Sequence, residues 1–160
     1  MLANTPERRP GTVARLVKEL AAAVGFAGVI GGQVEDIRFA AAPTRDVIDF
    51  VFQHKTADLF KAACRLGALA AGGDEDAVDK LSRFADALGF AFQIIDDLLD
   101  APSASSDAAP ELSCLAVMSA DEARDWARKL TAQAVAALDG LPGETAPLAA
   151  LANHLLTRII

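Results

Sequence analysis

Residues 44–100 are TRDVIDFVFQHKTADLFKAACRLGALAAGGDEDAVDKLSRFADALGFAFQIIDDLLD, and this stretch decides the fold. On each side of Gly72-Gly73, apolar side chains recur at alternating steps of three and four residues, which places them on one helix face. We therefore predict two long helices, from about Pro43–Thr44 to Gly72–Gly73 and from Asp74 to Pro102, packed as an antiparallel hairpin. The predicted inward residues are Ile48, Phe52, Lys55, Leu59, Ala62, Leu66 and Leu69, then Val78, Leu81, Ala85, Leu88, Phe92, Ile95 and Leu99.

The remaining sequence also predicts helices and no strands. The expected segments are a helix from Thr12 to Val24, a second piece through Ile37 with the apolar stripe Ile30, Val34 and Ile37, a helix from about Ser119 or Ala120 to Leu138 with Trp126, Leu130 and Ala134 inward, and a last helix from about Ala146 to Arg158. We expect one all-α domain over residues 1–160, an antiparallel helical bundle with a polar leader at 1–11 and a loop region at 101–118.

Composition excludes several classes of protein. The 22 acidic side chains exceed the 15 Lys and Arg, giving a formal net charge of -7, which argues against nucleic acid as a partner. Two cysteines give no disulfide framework. The longest apolar run, Leu20 to Gly32, is too short to span a bilayer, and residues 1–11 lack a signal-peptide core. We therefore expect a cytoplasmic protein without a membrane span.

The mean hydropathy of +0.28 is high for a domain of this size. Either the chain buries an unusual share of its surface, or part of its apolar surface is covered by a partner.

An acidic cluster closes the second long helix. Asp96 and Asp100 are four residues apart and share one helix face, Asp97 lies beside them, and Gln93 lies one turn earlier. Three carboxylates at the negative end of a helix dipole repel one another, and a hard cation such as Mg²⁺ would relieve this with a substrate phosphate. The alternative is a solvated acidic helix end, which is common.

Two further features are unusual for a helical bundle. Lys55 occupies a predicted inward position, which is costly unless its ammonium meets an anion or reaches solvent along the helix surface. In Gly31-Gly32-Gln33-x-x-Asp36, the glycines allow a close helix approach, and Gln33 shares a face with Asp36. Taken alone, the second feature favours a simple helix crossing with incidental polar residues.

Together, the three features resemble the trans-isoprenyl diphosphate synthase (polyprenyl synthetase) family in order and spacing. The matching segments are Gly31-Gly32-Gln33-x-x-Asp36, His54-Lys55-Thr56-x-x-Leu59 and Gly89-Phe90-Ala91-Phe92-Gln93-x-x-Asp96-Asp97-x-x-Asp100. The similarity runs from about Arg9 to Asp100 and continues weakly beyond it. It implies the C-terminal half of the isoprenoid synthase fold.

The resemblance also implies a reaction and a role for each residue. In the family an allylic diphosphate ionises to a carbocation, which the double bond of isopentenyl diphosphate attacks, with Mg²⁺ as cofactor. By carry-over, Asp96, Asp97 and Asp100 are the metal ligands of the second aspartate-rich motif, and Lys55 holds the allylic diphosphate. Thr56 and Gln93 are catalytic residues that line the reacting centre, and Gln33 is a further substrate-binding residue.

Departures from the family pattern leave three hypotheses open. The family chain is about twice this length; its first aspartate-rich motif and its basic residues for isopentenyl diphosphate have no counterpart here. Residues 101–115 also lack the lysine-containing glycine-rich loop. The chain is then a half prenyltransferase that is inactive without a partner half, a non-catalytic interaction or regulatory subunit of a full-length synthase, or a helical module unrelated in function. We expect a homo-oligomer or a hetero-complex with a synthase-like chain.

Overall fold

The protein is an all-α bundle, as the sequence predicts. The structure, a computed structural model, describes residues 11–39, 43–100 and 112–159, and every regular element within these ranges is helical. The α-helices are α1 (Thr12–Val24), α2 (Val29–Phe39), α3 (Arg45–Val51), α4 (Asp58–Ala71), α5 (Glu75–Leu99), α6 (Ala120–Ala137) and α7 (Ala146–Leu156). A π-helical segment, Phe52–Ala57, joins α3 to α4, and short 3₁₀ turns lie at Cys114–Ala116 and Thr157–Ile159. The polar leader at 1–10 lies outside the described residues.

Capping side chains fix the ends of the helices. Thr44 and Asp74 each accept a hydrogen bond from the amide three residues later, at the starts of α3 and α5. Ser119 and Glu122 form a reciprocal capping box at the start of α6. Gly72 ends α4 at φ 82°, a left-handed conformation that glycine adopts without strain. The predicted bounds Thr12 to Val24 are those of α1.

The predicted long helix before Gly72 is interrupted by the π-helical segment. The Asp58 amide donates to the carbonyl of Gln53, five residues earlier, so this turn holds one residue more than an α-helical turn. The extra residue rotates the following side chains relative to the preceding ones. The inward stripe predicted from a single helical period is therefore wrong at Leu59, whose exposed fraction is 46%.

Helix α5 lies at the centre of the bundle. Phe84, Ala85 and Leu88 pack against α6 and α7, and further along the helix Ile94 and Ile95 pack against α3 and the 3₁₀ turn at Cys114. Within the predicted loop region, residues 101–111 lie outside the described residues. Leu112 and Cys114 are buried in the same core. The described end of the predicted loop is therefore part of the packed bundle, because the 3₁₀ turn at Cys114 packs against Ile94 and Ile95 of α5. Leu99, predicted inward, is 43% exposed where α5 ends.

The apolar stripe of α2 is exposed rather than packed against the bundle. Ile30, Val34 and Ile37 are 54%, 48% and 72% exposed, and Phe26 in the preceding turn is 81% exposed. The face that α2 buries instead holds Gly32, where an added Cβ would lie 2.3 Å from the Lys55 amide nitrogen. Glycine therefore sets how α2 docks, and its large apolar side chains face away. No helix in the described ranges is long and apolar enough to cross a membrane.

A two-pronged ion pair joins α1 to α4. The Arg65 guanidinium donates to both carboxylate oxygens of Glu19 at 2.7 Å and to the Ser82 hydroxyl at 3.0 Å. This arginine lowers the pKa of Glu19. A carboxyl group whose pKa is lower in the folded state stabilises the fold at neutral pH, and that stability is lost as the pH falls through the folded-state pKa.

Replacing Glu19 with glutamine should therefore lower the free energy of unfolding at pH 7 by about 1 kcal/mol, the pair being partly solvated. The difference between variant and parent should shrink as the pH falls through the lowered pKa of Glu19 in the folded state. Urea denaturation at pH 7 and at a series of lower pH values measures this. Glu75→Gln removes the partner of Arg15 from a more solvated ion pair, with Glu75 72% exposed, and should cause a smaller loss than Glu19→Gln. Equal losses in the two variants would contradict the assignment.

Candidate functional site

A side-chain hydrogen bond links two of the predicted site segments. The Thr56 hydroxyl, in the π-helical segment, donates to Oε1 of Gln93 on α5 at 2.9 Å. This hydrogen bond requires α5 to pack closely against the π-helical segment. Gly89, one turn before Gln93, permits the close approach, because an added Cβ there would lie 2.6 Å from Cα of Ala57. The structure thus brings together Thr56 and Gln93, which the sequence assigns to the same site.

The lysine predicted to lie inward is paired with a carboxylate on α2. The Lys55 ammonium lies 2.6 Å from Oδ2 of Asp36 on α2, and its side chain is 35% exposed. Lys55 therefore faces α2 and solvent instead of lying in the apolar seam of the hairpin, which corrects that prediction. The extra residue of the π-helical turn accounts for the difference, since it rotates Lys55 away from the stripe of α4. Asp36 is the partner that sequence reasoning did not assign to the site; its only signal is its spacing from Gly32 and Gln33.

The three aspartates at the end of α5 have different surroundings. Asp96 is half-buried and Asp100 exposed, and neither carboxylate has a hydrogen-bond or ion-pair partner among the described residues. Asp97 is 8% exposed, and its oxygens accept hydrogen bonds from the Cys114 amide at 2.7 Å and from the Gln93 amide nitrogen at 3.3 Å. In the described ranges no three acidic, His or Cys side chains converge as a metal-binding group.

Burial raises the pKa of Asp97, while hydrogen bonds from Cys114, Gln93 and Ser113 oppose this shift. Burial, together with the negative charge of the same carboxylate, raises the pKa of the Cys114 thiol. Asp97 thus acts in this structure as a buried acceptor that ties the 3₁₀ turn to α5 and orients Gln93. The oxygens of Asp96 and Asp100 are the hard, partner-free donors that suit Mg²⁺.

A polar network also joins the π-helical segment to α4 and α5. Nδ1 of His54 lies 2.8 Å from a carboxylate oxygen of Asp58, whose other oxygen accepts from the Gln53 amide at 2.9 Å. Lys61 and Gln53 both reach Asp86 on α5. These residues hold the π-helical segment against α4 and α5. The network is not predictable from the sequence, in which its only signal is a run of polar residues within the apolar period.

Gln33 is not brought into contact with the other site residues. It lies on α2 between Gly32 and the exposed stripe, with its side chain exposed. The π-helical segment, which carries Lys55 and Thr56, adjoins α5, which carries Gln93 and the aspartates, whereas Gln33 lies on α2.

Comparisons with known proteins identify the family and the fold of the chain. The family model described as polyprenyl synthetase matches residues 6–110. The chain is 36% identical to geranylgeranyl pyrophosphate synthase 7 of Arabidopsis thaliana, over 98% of this chain and 49% of the relative. It is also 36% identical to the large subunit 1 of a heterodimeric geranylgeranyl pyrophosphate synthase of the same plant, over 93% of this chain and 44% of the relative.

Solved structures show the same fold. An FPP/GFPP synthase from Zymomonas mobilis superposes with a TM-score of 0.83 at 31% identity, over 96% of this chain and 55% of that one. A geranyltransferase from Helicobacter pylori, solved with magnesium and isoprenyl diphosphate, gives 0.78 at 27% identity, over 98% of this chain and 54% of that one. The chain spans about half the length of the relatives it matches. With its motifs, its helices and these matches in agreement, the chain belongs to the polyprenyl synthetase family.

Proposed function

We propose that these 160 residues form the diphosphate-binding half of a trans-prenyltransferase, inactive alone and active with a partner half. The observation that carries the proposal is the hydrogen bond from Thr56 to Gln93, which joins the segment of Lys55 to the helix of the aspartates. Recognition of a magnesium-bound diphosphate requires a cation and oxygen ligands for the metal, which Lys55 and the partner-free carboxylates of Asp96 and Asp100 would supply.

Each residue has a role suited to its chemistry. Lys55 binds the diphosphate of the allylic substrate, exchanging Asp36 for phosphate oxygens. Asp96 and Asp100 are the oxygen ligands for Mg²⁺, which neutralises diphosphate charge when it is bound. We propose that Asp97 acts through its hydrogen bond to Gln93, although the family pattern counts it among the metal ligands. The Gln93 and Thr56 dipoles face the reacting centre, and Gln33 contacts substrate from the edge of α2.

The exposed stripe of α2 supports the need for a partner. Monomeric proteins rarely leave large apolar side chains exposed in a row along one helix, and Ile30, Val34 and Ile37 do so beside the site. The partner is a second copy or a synthase-like chain; one relative is named as the large subunit of a heterodimeric synthase. The same stripe favours a second candidate function, a non-catalytic interaction or regulatory subunit of a full-length synthase. For either function, the proposed location is the cytoplasm.

Calorimetric titration of farnesyl diphosphate into the purified chain tests the proposal. We expect binding that Mg²⁺ strengthens and EDTA reverses, and Asp96→Asn or Asp100→Asn should reduce the affinity to its metal-free level. Asp125→Asn is the matched control, since Asp125 is an exposed acid of α6 paired with Arg128. With isopentenyl diphosphate added, the isolated chain should form no product, and light scattering should show an oligomer.

Two results would decide against parts of this proposal. Binding without any response to Mg²⁺ or to the aspartate substitutions would remove the diphosphate site and leave the regulatory subunit. Prenyl product that is lost in Asp96→Asn would contradict the inactivity of the isolated chain.

A further inference from the structure

A groove separate from the proposed diphosphate site lies between α5 and α6. Its volume is about 700 Å³, and the site residues Lys55, Gln93 and Asp96 do not line it. The opposite face of the two helices is covered by α7, through Leu88, Ala134 and Ala152. The groove is thus lined by α5, by α6 and by the turn that follows α6.

One end of the groove is aromatic and apolar. The rings of Phe90 on α5 and Trp126 on α6 lie with centroids 6.3 Å apart, and Ala87 and Leu130 continue the apolar floor. The Arg45 guanidinium, 3.9 Å from the Trp126 ring centroid, stacks on the indole and fixes its orientation. These side chains are only half-buried, so the floor offers apolar surface that a hydrocarbon chain would remove from water.

The other end of the groove is polar and holds one unpaired cation. Two of its charged residues are already paired, Lys80 with Asp76 and Asp86 with Lys61, each at 2.8 Å. Arg83 has no ion-pair partner among the described residues, and Gln133 lines the same groove from the facing helix. A guanidinium with an amide nearby is a donor set suited to a carboxylate.

The size and charge of the groove limit its occupant. Arg83 and Phe90 are seven residues apart on α5, about 10 Å at the helical rise per residue, which matches an extended chain of about eight carbons. Asp139 also lines the groove without an ion-pair partner among the described residues. The lining thus holds two cations and two carboxylates, and without a net positive charge it disfavours a head group with several negative charges more than one with a single charge.

We propose that this groove binds a single-chain amphiphile with one carboxylate head, such as a medium-chain fatty acid. The chain lies over Phe90, Leu130 and Trp126, and the carboxylate accepts hydrogen bonds from Arg83 and Gln133. The proposal is independent of the diphosphate site, since the two share no lining residue.

Trp126 is the sole tryptophan of the sequence, so its fluorescence reports occupancy of the groove directly. Decanoate, titrated below its micellar concentration, should change this fluorescence saturably, with calorimetry giving the same affinity. Arg83→Gln should weaken decanoate binding about tenfold and leave decanol binding unchanged. Ala87→Phe, which fills the groove, should weaken both ligands. Arg128→Gln, an exposed arginine of α6 paired with Asp125, is the matched control and should change neither.

Several results would overturn the proposal. No saturable response to decanoate in either method would exclude the site. Equal binding of decanoate, decanol and decyltrimethylammonium, unaffected by Arg83→Gln, would exclude recognition of a carboxylate. Geranyl diphosphate binding more tightly than decanoate, and weakened by Arg83→Gln, would replace the carboxylate by a diphosphate head. If Ala87→Phe fails to fold, as judged by circular dichroism, Leu130→Gln takes its place.

Discussion

Gly89→Ala should destabilise the fold by about 2 kcal/mol, in spite of the better helix propensity of alanine. The added Cβ would lie 2.6 Å from Cα of Ala57 and 2.9 Å from its Cβ, and neither neighbour is a flexible side-chain end that could move aside. Helix α5 must then shift away from the π-helical segment, which also lengthens the bond between Thr56 and Gln93. Urea denaturation followed by circular dichroism measures the change.

Gly67→Ala is the matched control, because Gly67 lies inside α4 and an added Cβ there would meet no atom within 4 Å. Without a steric clash, only the gain in helix propensity remains, and the substitution should stabilise the protein by up to about 1 kcal/mol. The same substitution should therefore lower the free energy of unfolding at Gly89 and raise it at Gly67. Destabilisation of similar size in both variants would show that the close approach of α5 to Ala57 is not what requires glycine.

The sequence predicts the helices well because their signals are local. The bounds of α1 and the hairpin of α4 and α5 follow from apolar periodicity and from the stop at Gly72-Gly73, whose physical causes lie within a few residues. The π-helical segment is not predictable in this way. A single extra residue in one turn rotates the side chains that follow it about the helix axis, without changing the apolar composition. Leu59 and Lys55 therefore point in directions that a single helical period does not predict.

The sequence groups the candidate site residues but does not predict their contacts. Spacing alone groups Asp96, Asp97 and Asp100. Only the tertiary structure shows that the Asp97 carboxylate accepts a hydrogen bond from the Cys114 amide, seventeen residues away. The ion pair of Lys55 with Asp36 also depends on tertiary packing. It forms because Gly32 lets α2 approach the π-helical segment closely. Contacts between elements are set by packing, which a pattern within one element does not encode.

Lys55→Met should reduce the affinity of the chain for farnesyl diphosphate in the presence of Mg²⁺ by tenfold or more, and this prediction rests on the proposed function. Hydrogen bonds between charged groups contribute about 1.5–3 kcal/mol, and each 1.4 kcal/mol is a tenfold change in affinity. Asp36→Asn should act in the opposite direction. It removes the carboxylate that competes with the diphosphate for the Lys55 ammonium, so the affinity should rise severalfold. Calorimetric titration of both variants measures the two signs.

Opposite signs are the decisive outcome, because a purely structural ion pair predicts another pattern. If the Lys55–Asp36 pair only docks α2 onto the π-helical segment, either substitution breaks it and both should lower the affinity together, along with the stability of the fold. The double variant separates the two cases. When Lys55 binds the ligand, adding Asp36→Asn to Lys55→Met restores stability by removing an unpaired carboxylate but recovers no affinity. Recovery of affinity in the double variant would assign the pair to docking, with diphosphate recognition carried by other residues.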